Sequence, residues 1–142
     1  MTQTQGSVIP LPTATDMSYQ YLEASDIHEI RLNGGTRQTM QAFFKHISQI
    51  YYAVPASGVT RILIVQDGAL APMTYFMGEM RAFVSQHNKM PRPVPARFAV
   101  VLDKTPLLQI ISQMLKLMRH QDQVVFFNRD EYDAACVWLI KP

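Results

Sequence analysis

Three short apolar runs in this chain, Arg61–Asp67, Ala96–Asp103 and Gln123–Asn128, are each followed at once by a segment of helical periodicity. Parallel neighbours in a sheet must be joined by a long crossover, usually a helix. The alternation therefore predicts a largely parallel sheet covered by helices. At 142 residues the chain has the length of one domain. With 48% hydrophobic residues it can bury a core without covalent staples.

Composition narrows the function classes. The single cysteine, Cys136, excludes an intrachain disulfide and suits a reducing compartment. Thirteen basic residues against eleven acidic ones leave a net charge of +2. The basic residues are scattered, so no nucleic-acid footprint is expected. Met1–Thr15 has no Lys or Arg and no sustained apolar stretch, so it does not read as a signal peptide. No apolar run is long enough to span a membrane, and a cytoplasmic location is expected.

Residues 1–15, rich in Thr, Gln, Pro and Ser, read as a flexible tail, and the domain is expected over 16–142. Tyr19, Tyr21 and Glu23 alternate with their neighbours as in a strand. Ser25-Asp26 is a turn signal, and His28–Leu32 reads as the second arm of a hairpin. Thr36 can cap a helix over Arg37–Val54, with Met40, Phe43, Phe44, Ile47, Ile50, Tyr51 and Val54 on its inner face and Pro55 ending it. The run Arg61–Val65, RILIV, has the pattern of a strand buried on both faces. Pro72 suits the first position of a second helix reaching about Gln86. Lys89–Pro95, with three prolines, is a rigid connector. Strands at Arg97–Leu102 and Val124–Phe127 flank a third helix, Leu107–His120. Asn128 and Glu131 have capping-box spacing before a last helix. That helix would bury Tyr132, Ala135, Trp138, Leu139 and either Cys136 or Val137. The expected order is ββαβαβαβα: one α/β domain with a mixed, mostly parallel sheet, antiparallel only at its first strand, and helices on both faces.

The stretch RFAVVLDK (Arg97–Lys104) before an apolar helix, and VVFFNRDEYDAACVWLI (Val124–Ile140), resemble the bacterial SpoIIAA-like family. Those proteins are relatives of the STAS and lipid-binding CRAL-TRIO folds. The resemblance runs over roughly 16–142 and rests mostly on core positions. It implies a protein-binding regulatory module. STAS domains that antagonise anti-sigma factors carry a phosphorylated Ser or Thr beside an Asp after the central strand. Here Asp67 is followed by Gly68, Ala69, Leu70, Ala71 and Pro72, and Thr74 is the only nearby hydroxyl. The sequence thus departs from the pattern needed for a phosphate-driven switch of that kind.

Asp67 and Asp103 fall at the carboxyl ends of neighbouring strands, where open α/β sheets bind ligands. Asp there also serves ordinary turns. His28, His46, His87 and His120 show no metal-ligand spacing with each other or with Cys136, so no metal or other cofactor is expected. His87 and His120 stand near helix ends, where imidazolium is favoured. Cys136, in AACVWL, reads as a buried structural thiol. Met73, Met77 and Met80 recur at i, i+4, i+7 with aromatic neighbours, a pattern of irregular cores and adaptable grooves. Gly78 amid them suggests a close backbone approach or a pocket. Leu107–Met118 is apolar around more than half its circumference and asks for a second covering surface, with Leu117 as an outward member.

The expected binding edge is therefore Asp67, Gly68, Leu70, Met73, Met77, Asp103 and Leu117. The leading expectation is a non-enzymatic module acting through protein contact, as a homodimer. A carrier of a lipid or other apolar small molecule is the alternative, and an enzyme using Asp67 and Asp103 ranks last.

Overall fold

The computed structural model describes residues 16–53, 55–67, 73–88, 94–103 and 122–142, with backbone alone at 73–75 and 87–88. The expected tail at 1–15, Val54, Gly68, Leu70, Pro72 and most of the Lys89–Pro95 connector lie outside the described residues. So does the whole helix expected over Leu107–His120, Leu117 included.

Five strands form one sheet in chain order: β1 (Met17–Leu22), β2 (Ile27–Leu32), β3 (Thr60–Gln66), β4 (Ala96–Val101) and β5 (Gln123–Phe127). β1 pairs antiparallel with β2, from Met17 opposite Leu32 to Leu22 opposite Ile27. Every later pairing is parallel. The single antiparallel strand at the start is as the sequence pattern predicts. It follows from a four-residue turn, too short for a parallel return. Asp26 sits in that turn at φ 56°, a left-handed conformation that Asp tolerates better than most residues. β3, third of five strands, buries Ile62, Leu63, Ile64 and Val65 in succession. Each such side chain contributes about 1.5–3 kcal/mol to folding.

Three helices are described: α1 (Arg37–Tyr51), α2 (Met73–Asn88) and α3 (Tyr132–Ile140). Alternating side chains on each strand divide the core in two. On one face, Met17, Ile30, Leu32, Ile62, Ile64 and Phe98 pack with the inner residues of α1 and with Met80 and Phe83 of α2. On the other, Ile27, Leu63, Val65, Ala99 and Val101 pack with Ala135 and Leu139 of α3. The result is a single α/β domain with helices on both faces.

The helix boundaries differ from expectation for local reasons. Thr36 caps α1 as predicted, its Oγ1 accepting the Thr39 N–H at 3.1 Å. α1 ends at Tyr51 and not at Val54. The N–H groups of Tyr52 and Ala53 turn back to Gln49 and Ile50, tightening the last turn before Pro55 bars continuation. α3 starts at Tyr132, with Glu131 and not Asn128 at its N-cap. The reciprocal arm of the expected capping box does form: the Glu131 carboxylate accepts the Asn128 N–H at 2.7 Å. Of the two alternatives for the inner side of α3, Cys136 is half-buried, while Val137 is 53% exposed.

Candidate functional site

The carboxyl end of the parallel sheet gathers charge from four successive chain segments. Glu29 and Arg31 share one face of β2 because they are two residues apart. Asp67 follows β3 directly, Asp103 lies just beyond β4, and Arg129 occupies the turn after β5.

Glu29 is the anchor. It is 2% exposed. A carboxylate so deep must receive hydrogen bonds on both oxygens. Oε2 accepts from Arg31 Nε at 2.9 Å and from Gln20 Nε2 at 3.2 Å. Oε1 accepts from the Tyr132 hydroxyl of α3. Arg31 spans two acids: its Nη1 donates to Asp67 Oδ2 at 3.0 Å. The Arg31 guanidinium also lies over the Tyr132 ring, 5.6 Å from its centre, a favourable cation–π placement. Burial alone would lower the Arg31 pKa, but hydrogen bonds and charge from Asp67 and Glu29 outweigh it and raise it.

Arg129 makes the second pair. Its Nε lies 3.3 Å from Asp103 Oδ1. Its Nη2 donates to Gln66 O at 3.2 Å, and its Nη1 reaches Asp67 O at 3.5 Å. Arg129 thus ties the end of β3 to the end of β4. Asp67 and Asp103 do reach the same edge, but each meets an arginine. A general acid or base must exchange its proton with substrate within hydrogen-bond reach. Here each carboxylate is paired with an arginine at the exposed edge.

No family model, curated protein or solved structure matches the chain.

Cys136 lies one turn from Tyr132 on α3. Burial, with the charges of Glu29 and Asp133, pushes its thiol pKa up, and the neighbouring Tyr132 hydroxyl only partly opposes it. A nucleophilic cysteine needs the opposite shift. Burial first, and then the bond to Glu29, raises the Tyr132 phenol as well. Among the described residues no three His, Cys, Asp or Glu side chains come together as a metal site, and no helix is long and apolar enough to cross a membrane.

Of the other expected site residues, Met77 is half-buried on α2, and Met73 opens that helix. Met80 and Phe83 are core: Phe83 packs on Phe44 and Tyr51, with ring centres 5.4 and 5.3 Å apart. The close approach expected at Gly78 is not found among the described residues: Gly78 is exposed, and a Cβ built on it meets none of them within 4 Å.

Sequence reasoning missed Glu29, Arg31 and Arg129. It weighed His28 and His46 only as metal ligands and did not foresee their burial, at 4% and 3% exposed, on the opposite face. The available signal was Glu29 and Arg31 at i, i+2 in a strand, which places two opposite charges on one face.

Proposed function

We propose that the chain is a SpoIIAA-like, non-enzymatic regulatory module that binds protein through the carboxyl edge of its sheet and works as a cytoplasmic homodimer. One observation carries this reading. The edge presents Arg31–Asp67 and Arg129–Asp103 as two neighbouring ion pairs, the first held from below by buried Glu29 and the second tied to the end of β3 through Arg129. Oriented charges that already compensate one another are poor proton-transfer groups. They are good elements of a recognition surface, because they set register and encounter rate with a complementary polar surface. The sheet order, with one antiparallel strand at its start, supports the SpoIIAA-like assignment alongside the Val124–Ile140 motif. Carriage of an apolar ligand rests on the same resemblance. Against it, the described part of the Met-rich helix commits Met80 and Phe83 to its own core.

Sedimentation and native mass spectrometry of the unmodified chain and of Asp67→Ala test the proposal together. A dimer whose Kd rises about tenfold in Asp67→Ala, with unchanged circular dichroism, is expected. A dimer insensitive to Asp67 moves the interface elsewhere. A monomer carrying a bound apolar mass establishes the carrier reading, and a ligand-free monomer removes the homodimer.

A further inference from the structure

On the face away from that edge network, two histidines from different elements close on one tyrosine. Tyr19 of β1 has its hydroxyl 2.8 Å from His28 Nδ1 of β2. The Tyr19 ring also meets His46 of α1 edge-on, with centres 4.3 Å apart and planes at 64°. Tyr21, the next inward residue of β1, lies 5.0 Å from the His28 ring. Both imidazoles are buried, and His46 Nε2 has no hydrogen-bond partner among the described residues. We propose that Tyr19, His28 and His46 form an acid-operated latch, which holds β1 against α1 while the imidazoles are neutral and releases it when they are protonated. This inference concerns a separate cluster and stands apart from the proposed binding edge.

The chemistry of the pocket sets the direction. An imidazolium is a donor at both nitrogens and needs two acceptors or water. His46 Nε2 faces none. Among the described residues the cluster has one nearby counter-charge, Asp26, which acts on His28 and not on His46. β1 contributes the phenols Tyr19 and Tyr21, with exposed Glu23 beyond its end. α1 contains no acidic residue; its Arg37 and Lys45 are exposed. Glu29 of β2 points to the opposite face. Arg61 of β3 donates to Ser25 O in the hairpin turn at 2.7 Å. Asp26 is the nearest carboxylate in the turn, and both its oxygens are taken. Oδ1 accepts from Tyr21 OH at 2.7 Å, and Oδ2 accepts from Ser57 N–H and Oγ at 2.9 and 2.7 Å. Burial accordingly depresses His28 and His46 to about 4, with Asp26 only partly opposing it at His28.

The architecture decides what gives way. Among the described residues β1 is an outer strand with one ladder, to β2, whereas β2 is also held by β3. Releasing β1 breaks one ladder and leaves the parallel sheet intact. Protonation of a released histidine near 6.5 against a latched one near 4 shifts the opening equilibrium by roughly a hundredfold per imidazole at pH 4.5. Release also bares the outer hydrogen-bonding groups of β2, a template for another strand.

Hydrogen exchange of the unmodified chain at pH 7.5 and 4.5, corrected for intrinsic rates, reads the latch directly. Protection across Met17–Leu22 is expected to fall at least tenfold more than protection across β3 and β4. His46→Phe, which keeps a ring against Tyr19, is expected to remove about half of that change on a logarithmic scale. Equal losses in all strands, or an unchanged pH response in His46→Phe, overturn the proposal. Should that variant not fold, imidazole titration by NMR in the unmodified chain decides. Two depressed midpoints that move with β1 resonances support the latch, and midpoints near 6.5 without such movement refute it.

Discussion

His28 and Glu29 are adjacent in β2 and face opposite sides of the sheet, and both are almost fully buried. They solve the same problem in opposite ways. On the α1–α2 face, His28 gives up its charge and sits as a neutral ring against Tyr19. On the α3 face, Glu29 is held with a guanidinium, an amide and a phenol gathered around it. A strand can bury an ionisable group by suppressing the charge or by surrounding it with donors. The first solution needs few partners and fails when protons are plentiful. The second is costly to assemble, and it fixes three elements at once: β1 through Gln20, β2 through Arg31 and α3 through Tyr132.

The contrast is most severely tested by Glu29→Ala. Deleting the acceptor removes three hydrogen bonds to a buried carboxylate, from Gln20, Arg31 and Tyr132, while the partly exposed Arg31 keeps Asp67. A loss of about 3–5 kcal/mol is expected in urea denaturation, since each hydrogen bond to a charged group is worth about 1.5–3 kcal/mol before relaxation. A loss below about 1 kcal/mol would mean that the donors find water and that the network is decorative.

The histidine face is expected to show the next largest effect, and only in acid. An unfolded histidine titrates near 6.5, and the folded ones near 4. The unfolded chain therefore binds more protons between these values. The stability is whole above about pH 6.5, declines as pH falls toward 4, and levels below that. Replacing His46 by Phe should recover about 3 kcal/mol at pH 4 relative to the unmodified chain, since each tenfold difference in proton affinity is worth about 1.4 kcal/mol. Asp26, whose Ser57 and Tyr21 bonds outweigh burial and lower its pKa, also loses stabilisation as acid protonates it. That contribution cancels in the difference between the two chains. Parallel pH profiles of the two would dissolve the contrast.

Gly78→Ala offers a smaller, positive effect. An exposed helical position with open space for a Cβ should gain about 0.5–1 kcal/mol, seen as a higher Tm. The smallest effect on folding is expected at Asp67. Its pair with Arg31 is more than a third exposed on both sides. Asp67→Ala should change stability by at most about 0.5 kcal/mol, so any larger effect on association reports on the edge and not on the fold.

The backbone architecture was legible because periodicity records which face of each element meets the core. RILIV announced the central strand, and Met40, Phe43, Phe44, Ile47, Ile50 and Tyr51 traced one side of α1; all six are buried. Turn chemistry also carried far: Asp26 stands at positive φ where Ser25-Asp26 signalled the turn. The candidate site was legible only in part. Asp67 and Asp103 were placed at the edge by strand logic, but their arginines could not be found that way. Arg31–Asp67 spans 36 residues, and Arg129 lies 62 residues from Asp67. Such meetings depend on strand order and register, which pattern alone does not encode. Glu29, and the inward place of His46, were not legible for a related reason. A charged or polar residue at an inward position reads as a break in the apolar stripe until its partners from other elements are known.

The last described helix has a consequence for how the chain is made. Ala135 and Leu139, both fully buried, complete the packing over Ile27, Leu63, Val65, Ala99 and Val101. Arg97 then secures the far end of α3, donating to the carbonyls of Leu139 and Lys141 and lying 5.9 Å from the Trp138 ring centre. During synthesis β1 to β4 emerge from the ribosome ahead of this cover, and β5 only just before it. The α1 face can close on a partial chain, while the residues awaiting α3 stay uncovered by it. A nascent chain paused short of Tyr132 therefore displays an aliphatic strip, the kind of surface to which chaperones bind and on which unfinished chains adhere to each other.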